Sequence, residues 1–254
     1  MPMEFSNEPE AVQVSEKEVL ATLLRGKMQE RGLLPYSSNH SFLVTVSDEE
    51  RTIPAVYKPQ RGETPLYDFE WGTLCQRETA AFLISSALEW GLVPPTVLRN
   101  GKHGIGSVQF YIDHDPNTHY FNIHDDARFA ETLRRLSLFD YICNNADRKS
   151  GHCLIGTDGQ LWAIDHGICF HTDYKLRTVI WEFAGQPIPD RLLQDMRKLQ
   201  CDFEDQRSVI AQGVCRLLNE SEREKMNERL ERLLKQKEFP SPHPQRRNYP
   251  WPPV

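Results

Sequence analysis

A lysine that ends an apolar strand, a glutamate on the helix after it, and two aspartates flanking a pair of short strands can act together in this chain. The lysine is Lys58, in Ala55-Val56-Tyr57-Lys58-Pro59. A desolvated ammonium without a partner costs several kcal/mol, so a lysine in this position calls for a carboxylate, and Glu78 is the candidate. The first aspartate, Asp147, lies in Asn144-Asn145-Ala146-Asp147-Arg148-Lys149-Ser150-Gly151-His152, a polar loop between two apolar elements. An aspartate followed five residues later by a metal-capable side chain offers one group for an acceptor hydroxyl and one for a cation. The second is Asp165, in Ala163-Ile164-Asp165-His166-Gly167, where a carboxylate ends an apolar strand and Gly167 permits a sharp turn, as suits a magnesium ligand. Lysine on phosphates, aspartate on a hydroxyl and aspartate on a metal are what phosphoryl transfer requires. Each has a plainer reading alone: Lys58 as a surface lysine, Asp147 paired with Arg148 in an Asx-type turn.

The elements that must hold these groups follow from pattern. Ser15 with Glu18 three residues on predicts a capped helix start, continuing through Leu24 to Met28. Phe42–Val46 and Ile53–Tyr57 read as a hairpin, with Pro54 expected at a sheet edge or strand start. Residues 76–91 are helical and apolar almost throughout. Val97–Arg99 and Ser107–Ile112 are strands around Asn100-Gly101, and 125–144 is an amphipathic helix. Cys153–Ile155 and Leu161–Ile164 are short strands, and about 189–236 is helical. A β-rich half, a helix-rich half and short strands carrying the polar residues give an α+β, bilobal, protein-kinase-like plan. The expected divisions are a disordered tail at 1–14, an N-lobe at 15–112, a helical C-lobe at 113–238 and a proline-rich tail at 239–254.

Bulk properties bound the function. The chain has 254 residues, 39% hydrophobic and 26% charged, with a formal net charge of −6, as in ordinary soluble domains. That charge argues against nucleic acid as a partner and against a membrane surface held by charge alone. No apolar run approaches a membrane span and residues 1–14 are polar, so a cytoplasmic protein without stable membrane insertion is expected. The six cysteines, at 75, 143, 153, 169, 201 and 215, form no C-x-x-C pair and read as reduced, buried small residues. The tryptophans at 71, 90, 162 and 181 read as core, and the other polar-segment histidines do not space as a zinc site.

Several segments in order resemble the phosphatidylinositol 3- and 4-kinase superfamily, type II phosphatidylinositol 4-kinases most of all and a bacterial subfamily in particular. They are Ser37-Ser38-Asn39-His40-Ser41-Phe42-Leu43-Val44, Ala55–Pro59, Glu63-Thr64-Pro65, Arg77-Glu78, Val93–Thr96, Asn145–Arg148 and Ile164–Gly167. The resemblance implies ATP and Mg2+ as cofactors, with Mn2+ as an alternative. Lys58, paired with Glu78, would contact the nucleotide phosphates, and Ser37, Ser38 and Ser41 would cradle them. The backbone of Gln109, Phe110, Tyr111 and Ile112 would meet adenine. Asp147, with Arg148 beside it, would serve an unidentified hydroxyl acceptor, and Asp165 and His152 would hold metal. Besides the absence of glycine at 37–41, two departures stand out: His152 replaces the usual asparagine, although magnesium prefers oxygen donors, and the sequence shows no cysteine-rich palmitoylation stretch or amphipathic membrane-insertion segment of the kind lipid kinases use. Lys175 and Arg177 follow where an activation or substrate loop is expected and would meet an acidic acceptor, or else form a solvated basic pair.

The expected function is therefore transfer of the γ-phosphate of ATP to a hydroxyl of a small molecule, lipid headgroup or protein. A nucleotide-binding pseudokinase, a protein adenylyl transferase on the same fold, and an interaction module are the alternatives. The proline-rich tail is expected either to bind a partner or to pack on the domain.

Overall fold

The computed structural model describes residues 15–34, 39–205 and 207–254. Residues 1–14, including the expected N-terminal tail, lie outside it. Helix α1 (Glu16–Arg25) opens on a complete capping box, with the Ser15 side chain facing the Glu18 amide and Glu18 returning to the Ser15 amide. The helix stops at Gly26. Met28 belongs instead to strand β1 (Lys27–Leu33), which pairs with β2 (Phe42–Ser47). Strands β3 (Thr52–Pro59), β4 (Thr96–Gly101) and β5 (Gly104–Phe110) complete an antiparallel sheet in the order β1-β2-β3-β5-β4.

Pro54 therefore sits in a central strand rather than at an edge. The β3–β5 ladder begins one residue later, at Ala55, so the missing N–H interrupts no pairing there. The two faces of the sheet differ. Val44, Val46, Ile53, Ala55, Tyr57 and Val108 pack with Val19 and Leu23 of α1 in a small core. Alternation puts Val56 and Lys58 on the other face, with Leu43 and Gln109 beside Val56.

Helix α2 (Leu74–Ala87) is buried on nearly every side, as its unbroken apolar run predicts, and joins the main core. Arg77 ties it to the helical half: Nη1 donates to the Cys169 carbonyl at 2.6 Å, and Nη2 pairs with Glu222. That half contains α3 (Tyr120–Ile123), α4 (Ala130–Cys143), α5 (Asp190–Glu204), α6 (Val209–Cys215) and α7 (Glu220–Gln236). Between α4 and α5 lies a two-stranded ribbon, β6 (Cys153–Ile155) with β7 (Leu161–Ala163).

The proline-rich C-terminal segment is docked, and largely through its backbone. Phe239 is buried against Phe183, the Asn248 carbonyl accepts from Thr178 N and Trp181 Nε1, and the Pro253 carbonyl accepts from Ser150 N at 2.8 Å. Composition understated its order because it weighs side chains. Tyr249 and Trp251, the aromatics expected to anchor it, stay exposed. Cys201, Cys215 and Trp71 are also exposed, against expectation.

Candidate active site

Four segments meet at one cleft: β3, the N-terminal half of α2, the loop after α4 and the turn after β7. Lys58 Nζ lies 2.6 Å from Glu78 Oε1 and 3.0 Å from Asp165 Oδ1. Burial alone would lower the ammonium pKa, but the Asp165 and Glu78 carboxylates more than offset it and hold it raised. The expected Lys58–Glu78 pair is thus formed. Glu78 Oε2 also accepts from the His166 amide at 3.0 Å, joining α2 to the turn that carries Asp165.

Asp165 has φ 61°, in the left-handed region, whereas Gly167 does not have positive φ. The sharp turn expected of the glycine is made by the aspartate, a backbone that Asp and Asn tolerate better than most residues. Asn144, the C-cap of α4, is also left-handed, at φ 52°. The Asp165 side chain is 46% exposed, and Lys58 holds its carboxyl well below the usual carboxylate range.

Asp147 lines the same cavity as Lys58, Glu78 and Asp165, and its enclosed part measures about 70 Å³. The Asp147 amide donates to Asn145 Oδ1 at 3.0 Å, and its carboxylate lies 3.3 Å from Lys149 Nζ. Burial pushes the Asp147 carboxyl up, with Lys149 opposing and Asp165 adding to the rise. The pairing with Arg148 considered from sequence does not occur.

Arg148 is turned the other way and is fully buried, so it cannot touch a substrate, contrary to its expected catalytic place. Its guanidinium grips Asp140 of α4 at 3.0 Å, donates to the Ile164 carbonyl at 2.7 Å and lies 2.6 Å from His166 Nε2. Arginine can only donate, so His166 Nε2 accepts and the ring is neutral, as burial and the Arg148 charge also require. Asp140 further accepts from Asn145 Nδ2 at 2.9 Å and from Thr178 Oγ1 at 3.3 Å. An ion pair satisfied this fully fixes geometry.

His152 Nε2 lies 3.3 Å from Asp165 Oδ2, while Nδ1 faces the Lys149 amide at 3.4 Å. With Nδ1 turned to an N–H, the ring proton belongs on Nε2, which is then directed to Asp165 rather than open to a metal. Burial lowers the imidazole pKa to about 4, so the ring is neutral at physiological pH. Among the described residues no group of three or more His, Cys, Asp or Glu could hold a metal by itself. The donors fit an ion that takes one or two carboxylates here and completes its shell from phosphate oxygens and water.

The remaining expected residues divide. Ser37 and Ser38 lie outside the described residues, and Ser41 is buried at the entry to β2. Gln109 is buried with its amide donating to Thr96 Oγ1 at 2.9 Å, and the Phe110 and Tyr111 amides donate to the Pro95 and Pro54 carbonyls. Those two amides are committed within the protein and Gln109 lies inside the sheet, so among the described residues the Ile112 amide is the hinge donor without a backbone partner. Lys175 is paired with Asp68 at 2.6 Å and is not free for an acceptor. Arg177 runs beside the Asp147 loop: its amide donates to the Asn145 carbonyl, and its carbonyl accepts from Arg148 N.

Sequence reading gave Glu63 a place in the resemblance but no role at the site. It lines the cleft, accepts from the Cys75 amide through Oε1 at 3.0 Å, and leaves Oε2 buried without a protein partner. Its cue in the sequence was its place in Glu63-Thr64-Pro65, between β3 and α2.

The family model described as phosphatidylinositol 3- and 4-kinase matches residues 13–235. The chain belongs to the phosphatidylinositol 3- and 4-kinase family. Protein Rv2133c of Mycobacterium tuberculosis is 35% identical over 269 residues, covering 91% of this chain and 94% of that protein. Phosphatidylinositol 4-kinase gamma 4 of rice (Oryza sativa subsp. japonica) is 28% identical over 104 residues, which is 37% of this chain and 18% of that protein. Among solved structures, the Golgi casein kinase superposes with TM-score 0.51 at 15% identity, covering 87% of this chain and 73% of that one. That likeness shows the α+β, protein-kinase-like fold of this family member. No helix among the described residues is long and apolar enough to cross a membrane.

Proposed function

We propose that this chain is an ATP-dependent phosphotransferase that moves the γ-phosphate to a hydroxyl acceptor. The observation that carries the reading is Lys58 Nζ bridging Glu78 and Asp165, with Asp147 on the same cavity. Lys58 exchanges its contact with Asp165 for nucleotide phosphate oxygens while Glu78 keeps it oriented. The adenine ring packs on the face of the sheet carrying Leu43 and Val56, and the Ile112 amide is its backbone donor. A divalent ion, Mg2+ or Mn2+, shared between Asp165 and the phosphates would neutralise charge on the transferred group. A solved structure of the Golgi casein kinase carries Mn and ADP, which supports the same pairing here. His152 positions the Asp165 carboxylate by donating from Nε2.

Asp147 accepts the proton of the acceptor hydroxyl as its oxygen bonds to the γ-phosphorus and the bond to the β–γ bridging oxygen breaks, releasing ADP. Its raised pKa suits a base better than an ordinary aspartate would be suited. Arg177, whose backbone flanks the Asp147 loop and whose side chain has no partner among the described residues, is the candidate to meet an anionic group on the acceptor. This favours a phosphorylated or acidic alcohol among small molecules, lipid headgroups and proteins.

ADP release from ATP with Mg2+ or Mn2+, with and without added alcohols, tests the proposal. Wild type should release ADP, and Asp147→Asn should lower turnover about 10²- to 10⁴-fold with the fold intact. Pyrophosphate in place of ADP would indicate adenylyl transfer and overturn γ-transfer. Nucleotide binding with neither product would leave a pseudokinase.

A further inference from the structure

A second cavity, of about 650 Å³, lies in the helical half between the α4–α7 surface and the C-terminal segment. That is the size of a small-molecule site. Tyr141 and Tyr174 form its floor, with ring centroids 6.4 Å apart at 61°. Arg232, His243 and Arg246 stand around it, and Glu238 is the one acidic side chain on its wall.

Neither arginine has an acidic partner among the described residues. Arg232 Nε reaches only the neutral amide of Gln236, at 3.3 Å. Arg246 Nη1 donates to the Tyr174 carbonyl at 2.7 Å, and its guanidinium lies 5.6 Å from the Tyr174 ring centroid. A guanidinium stacked on an aromatic face and bonded to one carbonyl keeps other N–H groups available in a fixed fork, the geometry that phosphate matches. Burial pushes the Tyr174 hydroxyl up to about 12 and raises that of Tyr141, so both stay protonated as donors.

We infer that this cavity binds a phosphate monoester on a small ring, of sugar-phosphate size, with Arg232 and Arg246 on the phosphate and the tyrosine rings against the ring's C–H face. The site is separate from the cleft but mechanically joined to it. Asn144, at the head of the Asp147 loop, donates through Nδ2 to the Asp173 carbonyl at 2.7 Å and accepts from the Lys175 amide at 2.8 Å, on either side of Tyr174. Beyond Arg246, the same C-terminal segment reaches Thr178 and Ser150. A ligand held between Tyr174 and Arg246 therefore braces the loop that carries Asp147.

Calorimetric titration of the full chain with ribose 5-phosphate, ribose and inorganic phosphate tests this. Ribose 5-phosphate should bind wild type and Asp165→Asn alike. Arg232→Ala or Arg246→Ala should each weaken it at least about tenfold. Both arginines are exposed, so Arg232→Ala should leave the thermal unfolding temperature unchanged and Arg246→Ala, which loses one hydrogen bond to Tyr174, should lower it only slightly. Absence of ribose 5-phosphate binding, equal binding of ribose, or binding lost in Asp165→Asn but kept in the arginine variants would each overturn the inference. Inorganic phosphate binding as tightly as ribose 5-phosphate would overturn the ring part of it.

Discussion

Two ionic clusters lie back to back, and adjacent residues divide between them. Asp147 and Asp165 face the cleft, while Arg148 and His166, each the next residue in sequence, face the interior and touch one another at 2.6 Å. The Arg148–Asp140 pair of the inner cluster is closed, although His166 Nδ1 has no partner among the described residues. Arg148 and Asp140 are both fully buried, and Asp140 takes its further hydrogen bonds from Asn145 and Thr178. The outer cluster is unsaturated: Asp165 is half exposed, the Asp147 carboxyl is pushed up, and Glu63 has an oxygen without a partner. The same residue chemistry serves rigidity in one place and ligand binding in the other. What separates them is whether the charged groups of each pair already have their lone pairs and N–H groups used, as Arg148 and Asp140 do.

The sharpest way to break the comparison is to remove one inner partner. Asp140→Ala leaves the Arg148 charge buried and unpaired, and should cost about 3–5 kcal/mol of unfolding free energy. Lys58→Ala strikes the outer cluster, where solvent reaches Asp165 and the His166 amide still serves the buried Glu78. About 1–2 kcal/mol is expected there, little of it from the exposed Asp165 side. Urea denaturation of both variants decides it, and equal losses would remove the distinction.

A smaller effect separates the two outer aspartates. A carboxyl raised in the folded state opposes folding when ionised, and this cost fades as pH falls through its folded pKa. A depressed one contributes stability that is present above the unfolded value, about 3.9, and is lost as pH falls through the folded value. Asp147→Asn should therefore stabilise the protein at pH 7 and Asp165→Asn destabilise it, each within about 1 kcal/mol. The gain in Asp147→Asn should shrink as pH approaches the ordinary carboxylate range. Paired urea midpoints at pH 7 and pH 4 give the signs, and matching signs at pH 7 would contradict the electrostatic reading.

The outward-facing residues were legible in the sequence because each stands at the end of an apolar strand or in a polar loop between apolar elements, in an order with few other uses. The inward-facing ones were not. Arg148 beside Asp147 reads as one more active-site charge, and Asp140 hides within Phe139-Asp140-Tyr141, a helical run whose pattern predicts only a buried face. Nothing local says that Asp140 and Arg148 meet. Lys175 misled likewise, since its partner Asp68 is far away in sequence. The hairpin, α2 and the β6–β7 ribbon followed from periodicity, but β1 did not. It lies at the sheet edge, largely exposed, and carries no apolar alternation to detect. The docked C-terminal segment escaped because backbone hydrogen bonds leave no mark in composition.

The central claim is that the outer cluster is open because it holds a metal–nucleotide complex. Thermal unfolding with millimolar ATP, with and without Mg2+ or Mn2+, on wild type and Asp165→Asn tests it most directly, since asparagine tolerates the left-handed backbone at that position. A ligand at a hundredfold excess over Kd adds about 2.7 kcal/mol of stability. The account predicts a metal-dependent rise in Tm for wild type that disappears in Asp165→Asn. An unchanged Tm with either metal, or an equal rise in both proteins, would contradict it.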